Sequence, residues 1–296
     1  MTSNPYFFRD QNIINHSNKL LIETVGTDDL PINVFDIPEY LDINFEFTSE
    51  KFKSAKELGL TEIINDKFYI YLNANVFGNS IEEAKKDTTQ WRRCRFTLAH
   101  ELGHCFLPNH IDVNIQKNFQ EDSVNSLKNS YLKQKEVEAD GFASELLIPS
   151  KTVNKSFLDD SKNLFKNAKI LSETYDVSLQ VAIMQLISLS TANICVCVFS
   201  SPYNGKIISY KPADSFRYYG NGARIEVKTE VPQNSIAKKL LNGDLRQEGI
   251  PNTLDIYYWF PEFRGSDEAK LTECSVHFNH YILTYLEITD TSIYGY

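Results

Sequence analysis

The sequence predicts an α+β protein in two parts. A helix-rich region with a small sheet runs to about residue 190, and a β-rich region covers residues 191–296. Three observations carry this. Apolar residues recur at helical spacing through Trp91, Cys94, Leu98, Leu102 and Cys105/Phe106, and again from about Leu132 to Leu147. In Phe68-Tyr69-Ile70-Tyr71-Leu72-Asn73 the aliphatics alternate with tyrosines and asparagine, the period of a strand with one buried face. Beyond Ile194, short β-rich runs are separated by turn signals: Asn204-Gly205, Gly220-Asn221-Gly222 and Asn242-Gly243-Asp244.

In chain order, Ala55–Leu60 reads as the end of a short helix closed by Gly59. Glu62–Ile64 and Phe68–Asn73 form a hairpin turning at Asn65-Asp66. Thr88 or Thr89 caps the first long helix, and Pro108 ends it. Residues 109–129 are polar and weakly periodic, a loop or short helix over the site. The second long helix stops before Pro149. A third helical region spans about Ser161–Tyr175, and a fourth starts at the N-cap Ser178 and reaches about Leu189. Strand candidates follow at Cys195–Phe199, Lys206–Tyr210, Ala223–Val227, Thr253–Trp259 and His280–Ile288. A domain boundary is therefore expected near residue 191.

The 296 residues carry a net charge of −9, and no Lys/Arg run exceeds two residues, so direct nucleic-acid binding is not expected. No apolar stretch approaches the ~18 residues of a membrane span. The N-terminus lacks the charged and apolar regions of a secretory signal, and a cytoplasmic protein is expected. The five cysteines lack the spacing of a disulfide framework. Cys195-x-Cys197 reads as two small buried hydrophobes. Cys105 lies on the wrong side of its helix for a metal, and Cys274-x-x-His277-x-x-His280 alternates faces of a strand, so both read as structural.

Phe96-Thr97-Leu98-Ala99-His100-Glu101-Leu102-Gly103-His104 is the most informative segment. Four residues on a helix bring the second imidazole about 40° round and ~6 Å along from the first. Two histidines so placed can share one Zn²⁺, with Glu101 close enough to an attacking water to serve as general base. A catalytic zinc takes three protein ligands. His110 has the spacing of a third histidine, but Leu107 stands where that pattern needs a glycine to turn the chain, and no methionine is available for the accompanying Met-turn. In Glu136-Val137-Glu138-Ala139-Asp140-Gly141-Phe142-Ala143, Glu136, Ala139, Asp140 and Ala143 share a helical face. Glu138 points about 200° away from Glu136, with Glu145, toward solvent. Small residues on both helices (Ala99, Gly103, Ala139, Ala143) let them approach. Phase thus favours Glu136 as third ligand and Asp140 as hydrogen-bond partner of a ligand histidine.

These two motifs, Arg95 to His104 and Glu136-x-Glu138-Ala139-Asp140-x-Phe142-Ala143-Ser144-Glu145-Leu146-Leu147-Ile148-Pro149, resemble the ImmA/IrrE-type zinc metallopeptidases. Tyr175-Asp176-Val177-Ser178 and the strand ending at Asn73 match as well, and the resemblance covers roughly residues 30–190. It implies a compact gluzincin-like metallopeptidase domain, with the motif helices bracketing zinc beside a small sheet. It also implies one Zn²⁺ per chain and site-selective cleavage of an intracellular regulatory protein, often a helix-turn-helix repressor. Two departures stand out: Gln185 replaces a usual arginine, and the loop 107–131 is long. On this reading His100, His104 and Glu136 bind zinc, Glu101 is the base, and Phe68–Asn73 aligns an extended substrate, with Tyr71 and Asn73 as candidate contacts. By analogy, the C-terminal region is sensory or substrate-recognising. A zinc-fold regulator that binds a repressor or toxin partner without cutting it is the alternative.

Overall fold

The structure is a computed structural model that describes residues 10–108, 110, 125–157, 163–189, 194–212, 223–244, 246, 248–266, 268–278 and 281–289. Most of the expected loop at 109–129, the Gly220-Asn221-Gly222 turn, Ser161 and His280 lie outside the described residues, as does the side chain of Cys195. The chain divides into two compact units, Met1–Asn154 with Asn167–Gln185, and Lys155–Lys166 with Leu186–Tyr296.

The first unit combines helices with a mixed three-stranded sheet. Helix α1 (Gln11–Glu23) is capped by Asp10, whose carboxylate accepts from the backbone of Asn12. A short α2 (Ile37–Tyr40) leads into β1 (Asn44–Thr48). Strands β2 (Gly59–Ile64) and β3 (Lys67–Asn73) form the expected hairpin. Its two turn residues, Asn65 and Asp66, have φ of 51° and 62°, the left-handed pair that a two-residue hairpin turn requires. Strand β3 is central: it pairs antiparallel with β2 and parallel with β1, in the order β1-β3-β2.

Two sequence expectations are corrected here. No helix ends at Gly59; residues 52–58 are turns, and Gly59 is the first residue of β2, opposite Leu72. Asn73 and Tyr71 do not face an open groove. Asn73 is buried, donating to the carbonyls of Ser54 and Glu57 while capping α3 (Ala74–Phe77), and Tyr71 is 5% exposed. Because β3 is paired on both sides, its backbone offers no edge to a substrate.

After α4 (Ile81–Ala84) comes the first motif helix, α5 (Thr88–Phe106). Its cap is Asp87 rather than either threonine: the carboxylate accepts from the Gln90 N–H at 2.8 Å. The helix stops at Leu107, with φ −79°, just before Pro108. The second motif helix, α6 (Asn125–Leu147), begins earlier than its apolar pattern suggests. It packs on α5 through the anticipated small residues. A Cβ on Gly103 would stand 3.2 Å from the Ala139 backbone and 3.2 Å from the Phe142 ring, so glycine permits the close approach.

Helices α7 (Leu164–Thr174) and α8 (Leu179–Leu189) follow, and the Ser178 hydroxyl accepts from the Val181 N–H as a cap should. The intervening turn anchors α5. Asp176, at φ 48°, receives Trp91 Nε1 at 2.6 Å and Arg92 Nε at 2.9 Å, while Arg95 donates to the carbonyls of Tyr175 and Asp176. Trp91 also stacks on Phe35.

The second unit is built on a fully antiparallel five-stranded sheet. Its strands are β4 (Ile194–Ser200), β5 (Ile207–Pro212), β6 (Asn252–Leu254), β7 (Lys270–Phe278) and β8 (Tyr281–Thr289), in the order β5-β4-β8-β7-β6. Val196, Val198, Leu271, Leu286 and Ile288 meet a short helix, α9 (Ile236–Leu241), and the ring of Phe260 in one core. The buried carboxylate of Glu273 ties this core together, accepting from the Ala237 N–H and Trp259 Nε1, both at 2.9 Å. Two strand expectations fail. Ala223–Val227 leads into an irregular turn, with Lys228 at φ 73°, that bonds the backbone of Ile207. Of the Thr253–Trp259 candidate only Thr253 and Leu254 are strand, because Asp255 then caps a 3₁₀ turn at Ile256–Tyr258.

Candidate metal centre

Residues of α5 and α6 converge on one point. His100 Nε2 and His104 Nε2 lie 3.1 Å apart, and Glu136 places one carboxylate oxygen 3.3 Å from the first and the other 3.6 Å from the second. In a tetrahedral centre with metal–ligand bonds of ~2.0–2.1 Å, donors stand roughly 3.3 Å from one another. The three donors therefore fit a single zinc-sized cation, and their chemistry, two imidazoles and a carboxylate, suits it. The Glu136 side chain is 61% exposed, so the cluster opens toward solvent on that side.

The metal-free electrostatics fit the same reading. Burial pulls the His100 imidazole down, but hydrogen bonds to Asp140 and Glu136 outweigh it and raise the pKa to about 10. His104, buried and beside the positive His100, is lowered to about 4. Asp140 stands as expected, its Oδ1 3.0 Å from His100 Nδ1, which leaves Nε2 to face the cluster.

Glu101 sits beneath the cluster, 6% exposed. Burial raises its pKa, although the charge of His100 and a hydrogen bond from Thr61 oppose the shift. The Thr61 hydroxyl on β2 donates to Glu101 Oε2 at 2.7 Å. Gly59, two residues before it, leaves no room for a side chain: a Cβ there would lie 2.5 Å from Glu101 Oε1. Strand β2 is thus shaped around this carboxylate. Neither Gly59 nor Thr61 carries a local signal, since Glu101 lies some forty positions along the chain.

Two acids differ from their expected solvent exposure. Glu138 bonds His110 Nε2 at 2.9 Å and accepts from Gln134. Glu145 is buried, accepting from Ser150 N, Ser150 Oγ and Gln185 Nε2. Gln185 also donates to the Ile148 carbonyl, so the amide holds α8 to the end of α6. His110 is not among the three converging donors; its Nδ1 stands 3.0 Å from His104 Nδ1, behind the cluster. The Cys105 thiol, pushed up to about 12 by burial, is no candidate ligand. Cys274 is buried and His277 bonds Glu248; with His280 outside the described residues, no metal cluster is seen there among the described residues.

A helix-borne histidine pair joined by a glutamate from a second helix is thus a candidate site for a single metal ion. Residues 85–186 match the model of a peptidase family described as the IrrE N-terminal-like domain, a match that supports an ImmA/IrrE-type family. No curated protein matches the chain. Among solved structures, a Mycobacterium tuberculosis transcriptional regulator is similar in fold, with 11% identity and a TM-score of 0.51 over 98% of this chain and 90% of that one.

Proposed function

We propose that this protein is a zinc-dependent endopeptidase that cuts a specific intracellular regulatory protein, a helix-turn-helix repressor. The observation that carries the reading is a buried carboxylate, Glu101, seated against a three-donor cluster that fits one zinc ion. His100, His104 and Glu136 would hold the ion, and Asp140 orients His100. When bound, zinc supplies Lewis acidity toward a peptide carbonyl and the attacking water.

Glu101 takes the proton from the attacking water and delivers it to the leaving amine. Its raised pKa suits both halves of that task, since a carboxylate nearer neutrality accepts and releases a proton more evenly. Thr61 holds one carboxylate oxygen, which keeps the other free for the water. The substrate strand aligns on β2 rather than β3. Strand β2 lies against Glu101 and pairs with β3 on one edge only, among the described strands.

The regulatory part of the reading draws on the ImmA/IrrE-type match and on the fold likeness to a transcriptional regulator. No helix among the described residues is long and apolar enough to cross a membrane. The test pairs metal analysis with cleavage. Purified protein is assayed for zinc, then incubated with any helix-turn-helix repressor found encoded beside its gene and with a proteome-derived peptide library. Cleavage that is zinc-dependent and lost in Glu101→Gln, with zinc retained, is the expected result. Stoichiometric repressor binding without cleavage by the wild type would favour the non-proteolytic regulator instead.

A further inference from the structure

The nitrogen of His104 that faces away from the cluster has a partner of its own. His104 Nδ1 lies 3.0 Å from His110 Nδ1, and His110 Nε2 lies 2.9 Å from Glu138 Oε2. The His110 side chain is 0% exposed. Its backbone is fixed as well, with the N–H donating to the Leu107 carbonyl and the carbonyl accepting from Lys135 Nζ, each at 3.3 Å. Glu138 is held in turn by Gln134 at 2.8 Å.

We propose that His110 and Glu138 are positioning residues that fix the ring and tautomer of His104 for metal binding. The donor inventory allows one neutral arrangement. An ionised carboxylate only accepts, so the His110 proton sits on Nε2 and points at Glu138. His110 Nδ1 is then a lone pair, and it accepts from His104 Nδ1–H. That leaves His104 Nε2 bare, aimed at the point shared with His100 and Glu136. His100 reaches the same state through one direct contact with Asp140. Both histidines are therefore backed by a carboxylate, one directly and one through an intervening imidazole, and both carboxylates come from α6. Partners of this kind set ligand orientation and basicity, and losing one typically costs 10–100-fold in metal affinity.

The inference rests on His104 being a metal ligand, as in the proposed function, but its test needs no substrate. Zinc affinity is measured by competition with a chromophoric chelator for wild type, His110→Ala, Glu138→Ala and Glu138→Gln, with Co²⁺ absorption reporting coordination and melting of the metal-free proteins reporting the fold. His110→Ala and Glu138→Ala are expected to bind zinc 10–100-fold more weakly with an unchanged four-coordinate Co²⁺ spectrum. Glu138→Gln is expected to recover most of the loss, because its amide oxygen still accepts from His110 Nε2. Should His110→Ala not fold, the two Glu138 variants decide the question alone. Unchanged affinity in the alanine variants, or equal losses in Glu138→Ala and Glu138→Gln, overturns the inference. So does a changed Co²⁺ coordination in His110→Ala, which would make His110 a ligand. A wild type that binds no stoichiometric zinc removes the proposed function and this inference together; wild-type binding with indifferent variants removes this inference alone.

Discussion

Replacing Gly59 with alanine tests whether β2 is shaped to seat Glu101, the proposed general base. The added methyl would lie 2.5 Å from Glu101 Oε1, 2.7 Å from Thr97 Cγ2 and 2.8 Å from Glu101 Cγ, about 1 Å short of ordinary contact. Thr97 is itself buried and bonded to the Arg93 carbonyl, so it yields little. Glu101 must then swing by roughly 1 Å, leaving the hydroxyl of Thr61. A displacement of that size at a reacting group costs about 10²-fold in rate, and overpacking of this kind costs about 1–3 kcal/mol in stability. The metal-facing donors lie on other side chains, so zinc content should stay at the wild-type level. The assay is cleavage of the repressor or peptide substrate, alongside zinc analysis and thermal melting. Near wild-type turnover in a folded Gly59→Ala protein would refute the seating of Glu101 by β2, and loss of zinc would show the strain falling on the ligands instead.

Two further outcomes are expected. In mildly acidic to neutral solution zinc must displace the proton that His100, raised to about 10, holds, whereas His104, lowered to about 4, is already bare. Apparent zinc affinity should therefore rise about tenfold per pH unit between about pH 5 and 7, or ~1.4 kcal/mol per unit. Titration calorimetry at about pH 6, below the range of about pH 7 in which a zinc-bound water ionises, in buffers of different ionisation enthalpy should count one proton released; zero or two would contradict the assignment. In the second unit, Glu273→Ala strands two buried donors, the Ala237 N–H and Trp259 Nε1–H. At ~1–3 kcal/mol for each unsatisfied group, chemical denaturation should show a loss of about 2–6 kcal/mol, and an unchanged midpoint would mean water or a rotamer shift satisfies both.

Much of the site was legible because it depends on local phase. Histidines four apart on one helix and Glu136 on the small-residue face of another needed only helical geometry and a reason for the helices to meet. The hairpin was legible for a similar reason, since Asn65-Asp66 tolerates the left-handed backbone that a tight turn demands. What escaped were features whose cause lies far along the chain. Gly59 looked like a helix stop because its reason, Glu101, comes from another element. Strand β3 looked like a substrate platform because its parallel partner β1 is non-local. The first half of β7 carries no alternating apolar pattern because Glu273 and Ser275 are buried alongside Leu271, although its second half reads as strand from Cys274 and His277. Helical phase misread Glu138 and Glu145 in a different way: it gives where a side chain leaves the helix, not where a long one ends, and both carboxylates are met by partners from outside α6.

The anchoring of α5 has a consequence for how the metal arrives. Trp91, Arg92 and Arg95 clamp the first half of that helix to the 175–177 turn, and the histidines occupy its second half. Helix rotation, and with it the direction of both imidazoles, is set by contacts that contain no metal. This differs from a zinc finger, in which the ion supplies the folding energy and the apo chain is unstructured. Here the ion would enter a cradle that already stands, and chelation would empty the cradle without collapsing it.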